Sequence, residues 1–143
     1  MTHIKRSALV MHTQEQMFNI VNDVNAYPEF LPWCASTEVH HEDDKSIEAT
    51  LHLAKAGLKY SFTTFNHLER PEKMEITLVK GPFSTLSGVW TFQKLSDEAC
   101  KVNLDLNFEF AGKLTALAMS KVFNQVAATM VDAFVQRADA IHG

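Results

Sequence analysis

The chain has 143 residues, of which 46% are hydrophobic and 21% are charged, and its formal net charge is −4. This composition is typical of a globular protein long enough to bury its own core, so we predict a single domain over residues 1–143. Because a free-standing nucleic-acid binder normally has a basic surface, the acidic balance argues against binding to duplex DNA.

The cysteines and the hydropathy pattern indicate a compartment. Cys34 and Cys100 form no CxxC motif, which predicts two free thiols in a reducing environment. The first residues have no continuous apolar stretch of the kind found in secretory signals, and no segment approaches the ~18 apolar residues of a membrane span. We therefore expect a soluble, cytoplasmic protein.

The N-terminal part predicts a strand, a short helix and an unusual loop. Residues 3–12 have the mixed apolar pattern of a strand, and Thr13 and Gln16 then form a capping box that opens a helix ending before Pro28. The next segment, residues 27–34, reads YPEFLPWC. Since its two prolines exclude a regular helix or a central strand, we expect an apolar loop.

Between residues 34 and 110 the apolar period changes from 3.6 to two. The clearest alternation of apolar and polar residues runs from Val102 to Phe110, and similar runs cover 47–53, 74–78 and 86–92. Turn-forming residues divide this region into six strands. Together with residues 3–12, the sequence predicts a seven-stranded antiparallel sheet with one apolar face.

After Gly112 the sequence predicts one long amphipathic helix over 113–141, ~40 Å in length. The residues predicted on its apolar face are Leu114, Leu117, Ala118, Val122, Val126, Met130, Phe134, Ala138 and Ile141. One helix about 10 Å wide cannot cover a sheet roughly 30 Å wide. The sheet must curl, leave a cavity, or be sealed at one end by residues 27–34, either as a fixed plug or as a mobile lid.

The sequence contains no pattern that predicts catalysis. P-loop, GxSxG and GxGxxG motifs are absent, and no pair of carboxylates falls on the apolar face. Cys34 is best interpreted as a small buried hydrophobe. The HHEDD run at 40–44 lies at a predicted hairpin tip, where charges are normally solvated, so we predict no metal site and no catalytic residue.

Three strings resemble those of a known family. They are YPEFLPWC at 27–34, KGPFSTLSGVWTF at 80–92, and FEF at 108–110 before the long helix. Over nearly its whole length the chain is similar to the coenzyme Q-binding START-type proteins of the polyketide cyclase-like superfamily, and especially to their ribosome association toxin branch. The resemblance implies an α+β helix-grip fold of START/Bet v type, in which a curved antiparallel sheet surrounds a long C-terminal helix.

The same resemblance implies functions of different classes. The leading one is non-catalytic binding of ubiquinone or a similar isoprenoid lipid in an apolar cavity, in support of respiration, with no other cofactor and with transient contact to a membrane surface. The alternative is a toxin that binds the large ribosomal subunit and blocks subunit joining. A cyclase- or aromatase-like enzyme is a third reading, which the lack of an inward acid–base pair disfavours.

The first two hypotheses each have candidate residues. For the quinone, the head group is expected near Thr64, Asn66 or Trp90 and the tail along the terminal helix. The full predicted ligand-binding set is Phe30, Leu31, Trp33, Leu51, Leu53, Phe62, Thr64, Asn66, Leu78, Phe83, Leu86, Trp90, Phe92, Leu106, Phe108, Leu117, Val122, Val126 and Met130. For the ribosome, RNA contact needs basic side chains, and the candidates are Lys5, Arg6, Lys55, Lys59 and Lys113.

Overall fold

The computed structural model describes residues 1–143 and contains seven strands and three α-helices. The strands are β1 (Thr2–Val10), β2 (Cys34–Glu42), β3 (Ser46–Lys55), β4 (Leu58–Glu69), β5 (Lys73–Lys80), β6 (Phe83–Lys94) and β7 (Cys100–Phe110). The helices are α1 (Gln14–Asn22), α2 (Tyr27–Phe30) and α3 (Lys113–His142), and a short 3-10 turn lies between α1 and α2. None of these helices is long and apolar enough to cross a membrane.

All seven strands form one curved antiparallel sheet in the order β1-β7-β6-β5-β4-β3-β2. Strands β2 to β7 follow one another as a meander, and β1 returns to the edge of β7, where Ile4 lies opposite Leu106. Every second residue of β7 is buried, from Cys100 to Phe110. The predicted fold class, number of strands and strand direction are therefore confirmed.

Helix α1 begins at the predicted capping box. Thr13 Oγ1 accepts a hydrogen bond from the Gln16 backbone N–H at 3.1 Å, and the Thr13 backbone N–H donates to Gln16 Oε1 at 2.9 Å. These bonds satisfy donors that have no partner inside the helix. The helix then buries Phe18, whose ring centroid lies 5.6 Å from that of Phe92 on β6. Helix α1 is thereby fixed against the sheet.

Helix α3 supplies the other half of the core. Its buried residues are Phe123, Val126, Ala127, Val131, Phe134 and Ala138. Phe123 lies at the centre of an aromatic cluster: its ring centroid is 4.8–5.9 Å from those of Phe62, Phe83, Phe108 and Phe110, all in edge-to-face geometry. Such pairs contribute about 0.5–1.5 kcal/mol each beyond the area they bury.

The predicted apolar face of α3 is wrong in its first turns. Leu114 is 84% exposed and Leu117 is 81% exposed. The side that packs there carries Ala116 and Met119, which lie seven and four residues before Phe123 and therefore on the same side of the helix. The hydrophobic pattern misled because the two largest apolar side chains of these turns are on the solvent side, whereas the packed positions hold a small residue and a flexible one.

We expect Phe123→Ala to lower the free energy of unfolding by about 3–5 kcal/mol, because the substitution leaves a cavity at the centre of the aromatic cluster. Chemical denaturation followed by circular dichroism would measure the change. Leu117→Ala is the matched control on the same helix and should change stability by no more than about 0.5 kcal/mol. An equal loss in the two variants would contradict the packing described for α3.

Candidate functional site

An apolar cavity of about 70 Å³ lies between the sheet and α3. It is lined by 15 residues from five neighbouring strands, α3 and the segment after α1, and all but two of them are hydrophobic. Met74 and Trp90 lie opposite each other on β5 and β6, and Leu86 and Leu106 extend the same wall. The remaining hydrophobic lining residues are Val24, Tyr27, Ala49, Leu51, Phe62, Ile76, Leu104, Phe123 and Met130.

The two polar lining residues are neighbours on β4. Thr64 is buried, and Asn66 is half-buried with a fully enclosed side-chain oxygen, Oδ1, that has no hydrogen-bond partner. Asn66 Nδ2 has only a weak acceptor, the Met74 Sδ at 3.8 Å. Since buried polar atoms in proteins are almost always paired, the Asn66 carboxamide is the atom group in this cavity that most needs a partner.

Eight of the predicted ligand-binding residues line this cavity. They are Leu51, Phe62, Thr64, Asn66, Leu86, Trp90, Leu106 and Met130. The structure therefore brings together the three residues predicted near the quinone head group, Thr64, Asn66 and Trp90. Contact of these residues with a quinone stays a prediction.

The other predicted residues lie elsewhere. Leu31, Leu53, Phe83, Phe92, Phe108 and Val126 are buried in the core away from the cavity lining. Phe30 and Trp33 line a separate groove, and Leu78 and Val122 are half-buried outside the cavity. Leu117 faces solvent, so the predicted path of the tail along the helix fails at that residue, because the helical phase was misjudged there.

Seven lining residues were missed. They are Val24, Tyr27, Ala49, Met74, Ile76, Leu104 and Phe123. Four of them share strand parity with residues that were predicted, for example Leu104 with Leu106, so the alternation itself could have found them. Val24 lies in the 3-10 turn and Tyr27 in the single turn of α2, and elements this short have no periodicity that assigns a face.

Gly88 serves packing between strands. A Cβ at this position would lie 2.8 Å from Leu106 Cδ1 and 3.0 Å from the Asp105 carbonyl oxygen. A side chain at position 88 would therefore require the end of the Leu106 side chain to move and the Asp105 carbonyl to shift by a few tenths of an ångström. This close approach explains the glycine without a ligand.

The YPEFLPWC segment is more ordered than a loop. Residues 27–30 form the single turn of α2, and Pro28 occupies its first turn, where a missing N–H does no harm. The prediction that the prolines exclude helix is thus wrong for this turn. Leu31 and Trp33 follow and are 1% and 4% exposed, so the segment does cover one end of the space between sheet and helix.

Polar contacts hold this segment in place. The Tyr27 hydroxyl donates to the Val21 carbonyl, and burial raises the pKa of Tyr27. The Ala54 N–H on β3 donates to the Trp33 carbonyl at 2.9 Å. On the outer side, Arg137 of α3 lies over the Phe30 ring at 4.9 Å, beside an outer groove of about 540 Å³.

The two thiols are unsuited to nucleophilic chemistry. Cys34 and Cys100 are free and buried, as predicted. Burial raises the pKa of Cys34 to about 11 and also raises the pKa of Cys100. Because the thiolate is the reactive form, both side chains are inert near neutral pH.

The charged hairpin at 40–44 has a structural role. Asp43 Oδ1 accepts hydrogen bonds from the Lys45 and Ser46 backbone N–H groups, each at 2.8 Å. Hydrogen bonding lowers the pKa of Asp43 to about 2. The bond from the Lys45 backbone N–H has the largest effect, and the bond with the His41 side chain has the next largest. The carboxylate thus caps the turn between β2 and β3.

Four of the five predicted basic residues form two separate groups, and the fifth, Lys113, lies apart from both at the start of α3. Lys5 and Arg6 are exposed on β1, which forms one edge of the sheet. Lys55 and Lys59 are exposed at the β3–β4 hairpin, towards the opposite edge. None of these four side chains is paired with a carboxylate. They offer two unpaired basic surfaces rather than one continuous patch.

Known proteins are similar to this chain along its whole length. A family model described as "Polyketide cyclase / dehydrase and lipid transport" matches residues 10–135. Ribosome association toxin RatA of Pseudomonas aeruginosa is 46% identical over 142 residues, covering 99% of each protein. RatA of Vibrio cholerae El Tor is 45% identical over 143 residues, covering 100% of this chain and 99% of that protein. Coenzyme Q-binding protein coq10 of Schizosaccharomyces pombe is 27% identical, covering 96% of this chain and 87% of that protein.

Solved structures share the fold at low identity. The Zhui aromatase/cyclase from Streptomyces sp. R1128 matches with a TM-score of 0.82 and 17% identity, over 96% of this chain and 93% of that one. A START superfamily protein from Mycobacterium smegmatis matches with a TM-score of 0.81 and 16% identity, over 97% and 98%. At these identities the likeness concerns the fold alone.

We expect residues 27–34 to open as a lid, at a lower free energy than β7. The reason is that few backbone hydrogen bonds join this segment to the rest of the chain, whereas β7 is paired along its length within the sheet. Native-state hydrogen exchange would compare the Leu31 and Cys34 amides with those of Leu104 and Leu106. Protection of the first pair should rise when a short-chain ubiquinone is added. Exchange as slow as in β7 and insensitive to the quinone would identify the segment as a fixed plug.

Proposed function

We propose that this chain, which belongs to the polyketide cyclase / dehydrase and lipid transport family and within it to the RatA proteins, binds the large ribosomal subunit and blocks subunit joining. The observation that carries the proposal is the 46% identity to a protein named ribosome association toxin, which extends over 99% of both chains. The identity to a coenzyme Q-binding protein is 27%. Ribosome binding, the alternative drawn from the sequence, therefore takes precedence over quinone binding.

The unpaired basic residues support contact with ribosomal RNA. Phosphate neutralisation by Lys and Arg dominates the affinity for RNA, and it needs side chains that are free of carboxylates. Lys5–Arg6 and Lys55–Lys59 are exposed and unpaired, whereas Lys73 and Lys94 are held by Glu and Asp side chains. Other lysines such as Lys80 are also exposed and unpaired, so the first two pairs are favoured because each brings two basic residues together on one strand or hairpin.

We expect the purified chain to co-sediment with large subunits in sucrose gradients and to reduce the joining of large and small subunits. Replacing Lys5, Arg6, Lys55 and Lys59 by Glu should abolish both effects, because each reversal removes a phosphate contact and adds repulsion. The two double variants, K5E/R6E and K55E/K59E, would show which of the separate surfaces carries the binding.

The matched control is K73E/K94E, which changes the charge by the same amount as either double variant. Lys73 Nζ lies 2.8 Å from Glu75 and Lys94 Nζ lies 3.5 Å from Asp97, so both lysines are already paired with carboxylates. A wild-type chain that does not bind large subunits would refute the proposal. Loss of binding in the control alone would place the contact elsewhere.

A second candidate function is binding of an apolar ligand with hydrogen-bonding oxygens, such as a quinone. It is favoured by one observation, the enclosed and unpaired Oδ1 of Asn66, which is one of the two polar residues that line a mostly apolar cavity. A half-turn of the carboxamide would aim Nδ2 at the cavity, where it could donate to a quinone carbonyl beside the Thr64 hydroxyl. The Trp90 ring would supply a flat wall for the quinone ring.

The size of the cavity sets a condition on this function. At about 70 Å³ the cavity is far smaller than ligand pockets of roughly 300–1,000 Å³. A quinone would therefore have to displace side chains, and Met130 is the most adaptable of those in the wall. The cavity of the free protein is too small to admit a quinone as a preformed pocket would. Binding would require side chains of the wall to move and enlarge it.

We expect Asn66→Leu to leave stability unchanged or to raise it by about 1 kcal/mol, because it removes an unpaired buried polar atom. The same substitution should weaken binding of a short-chain ubiquinone at least about tenfold if the carboxamide holds the head group, since one hydrogen bond contributes about that much. Calorimetric titration and chemical denaturation would measure the two effects.

The control for this experiment is Ile76→Leu, which preserves the volume of a cavity wall next to Asn66 without touching a polar group. It should alter affinity little. Unchanged affinity in a stabilised Asn66→Leu variant would mean that Asn66 does not contact the quinone.

We propose no catalytic function. No lining residue of the cavity is a histidine, a lysine, an arginine or a carboxylate, and the Tyr27 hydroxyl already donates to a backbone carbonyl. General acid–base catalysis needs a titratable group within reach of the substrate. A cyclase-like reaction in this cavity would lack one.

A further inference from the structure

The first nine residues of α3, 113–121, present an apolar face to solvent. Leu114 and Leu117 are 84% and 81% exposed, and Ala118 beside them is exposed as well. Residues three and four apart lie on one side of a helix, so these side chains form one continuous surface. A solvent-facing stretch of a helix is normally polar, and packing within this chain does not account for two exposed leucines here.

The same face carries positive charge without compensation. Lys113 and Lys121 are exposed at its two ends, and neither is paired with a carboxylate. No Asp or Glu occurs between Glu109 and Asp132, although the chain as a whole has a net charge of −4. The first turn of α3 has no acidic residue and no side-chain cap, so its positive dipole end adds to the lysines.

We propose that this surface, the α3 docking face (Lys113, Leu114, Leu117, Ala118 and Lys121), docks on the surface of a bilayer that contains anionic lipids. Helices that combine basic and apolar side chains in this way lie in the membrane interface, with the apolar residues below the headgroups. The leucines would enter the headgroup region, while the lysines would stay level with the lipid phosphates.

The chemistry of the face favours a bilayer over the other occupants. RNA would accept the lysines but would leave both leucines in water. A second copy of the chain would bring like-charged lysines together. An anionic bilayer satisfies both features at once, and each lysine near its surface strengthens binding about fivefold.

Vesicle flotation with the full chain tests the proposal. We expect the chain to float with vesicles of phosphatidylglycerol and phosphatidylcholine, to be released by high salt, and to bind vesicles of phosphatidylcholine alone much more weakly. K113Q/K121Q should lower the partition to anionic vesicles about 25-fold, because two lysines are lost. L114S/L117S should lower it at least tenfold.

The matched control is L9S/M11S, which removes two other apolar side chains that are 73% and 74% exposed at a distant position of the chain. It should bind vesicles like the wild type. All these positions are on the surface, and circular dichroism would verify that each variant is folded.

The proposal is overturned if the wild type does not float with anionic vesicles or binds both vesicle types equally. It is also overturned if the control loses as much binding as L114S/L117S. A fourth outcome would reassign the face. If K113Q/K121Q and L114S/L117S float normally with anionic vesicles but no longer co-sediment with large subunits, the α3 docking face is a ribosome contact. This experiment is independent of the ribosome proposal, since vesicle binding can fail while subunit binding persists.

Discussion

The structure depends on a difference in width: a single helix about 10 Å wide must cover the apolar face of a seven-stranded sheet roughly 30 Å wide. Where α3 meets the sheet, large rings fill the space, and Phe123 packs edge-to-face against four phenylalanines. Further along, the helix offers Met130, and the remaining gap is the apolar cavity. The segment around Leu31 and Trp33 covers one end of this space and meets α3 there, where the ring centroids of Phe30 and Phe134 are 5.5 Å apart. Core, cavity and cover are therefore three consequences of the same difference in width.

This division separates the two proposed functions in space. A quinone would use the interior, where Asn66 has an unpaired oxygen among apolar side chains. A ribosome would meet the exterior, through exposed lysines and arginines on β1 and on the β3–β4 hairpin. Since no residue serves both surfaces, the interior could change its ligand without altering the outer contacts. The family can thus include proteins with different names and one fold, and the fold alone does not decide between them.

Much of the architecture could be predicted because strand periodicity is a strong signal when only one face is buried. The alternation from Val102 to Phe110 assigned inward residues correctly, and the Thr13–Gln16 capping box placed the start of α1. The failures occurred where local patterns carry less information. Pro28 excludes a helix interior but not a first turn, and the exposed Leu114 and Leu117 outweighed Ala116 and Met119 in any count of hydrophobicity. The depth and volume of the cavity depend on how side chains from distant strands meet, which no local pattern specifies.

The net charge of the whole chain does not describe the local charge at the start of α3. A net charge of −4 correctly argues against a continuous basic surface, and the basic residues are indeed spread over separate elements. Yet the stretch from residue 110 to 131 contains two lysines and no carboxylate. Because screening confines the influence of a charge to about 10 Å in ordinary salt, a binding partner responds to that local surface and not to the total. An anionic bilayer that approaches the start of α3 would therefore meet two lysines and no carboxylate from that stretch of the chain, whatever the sign of the total charge.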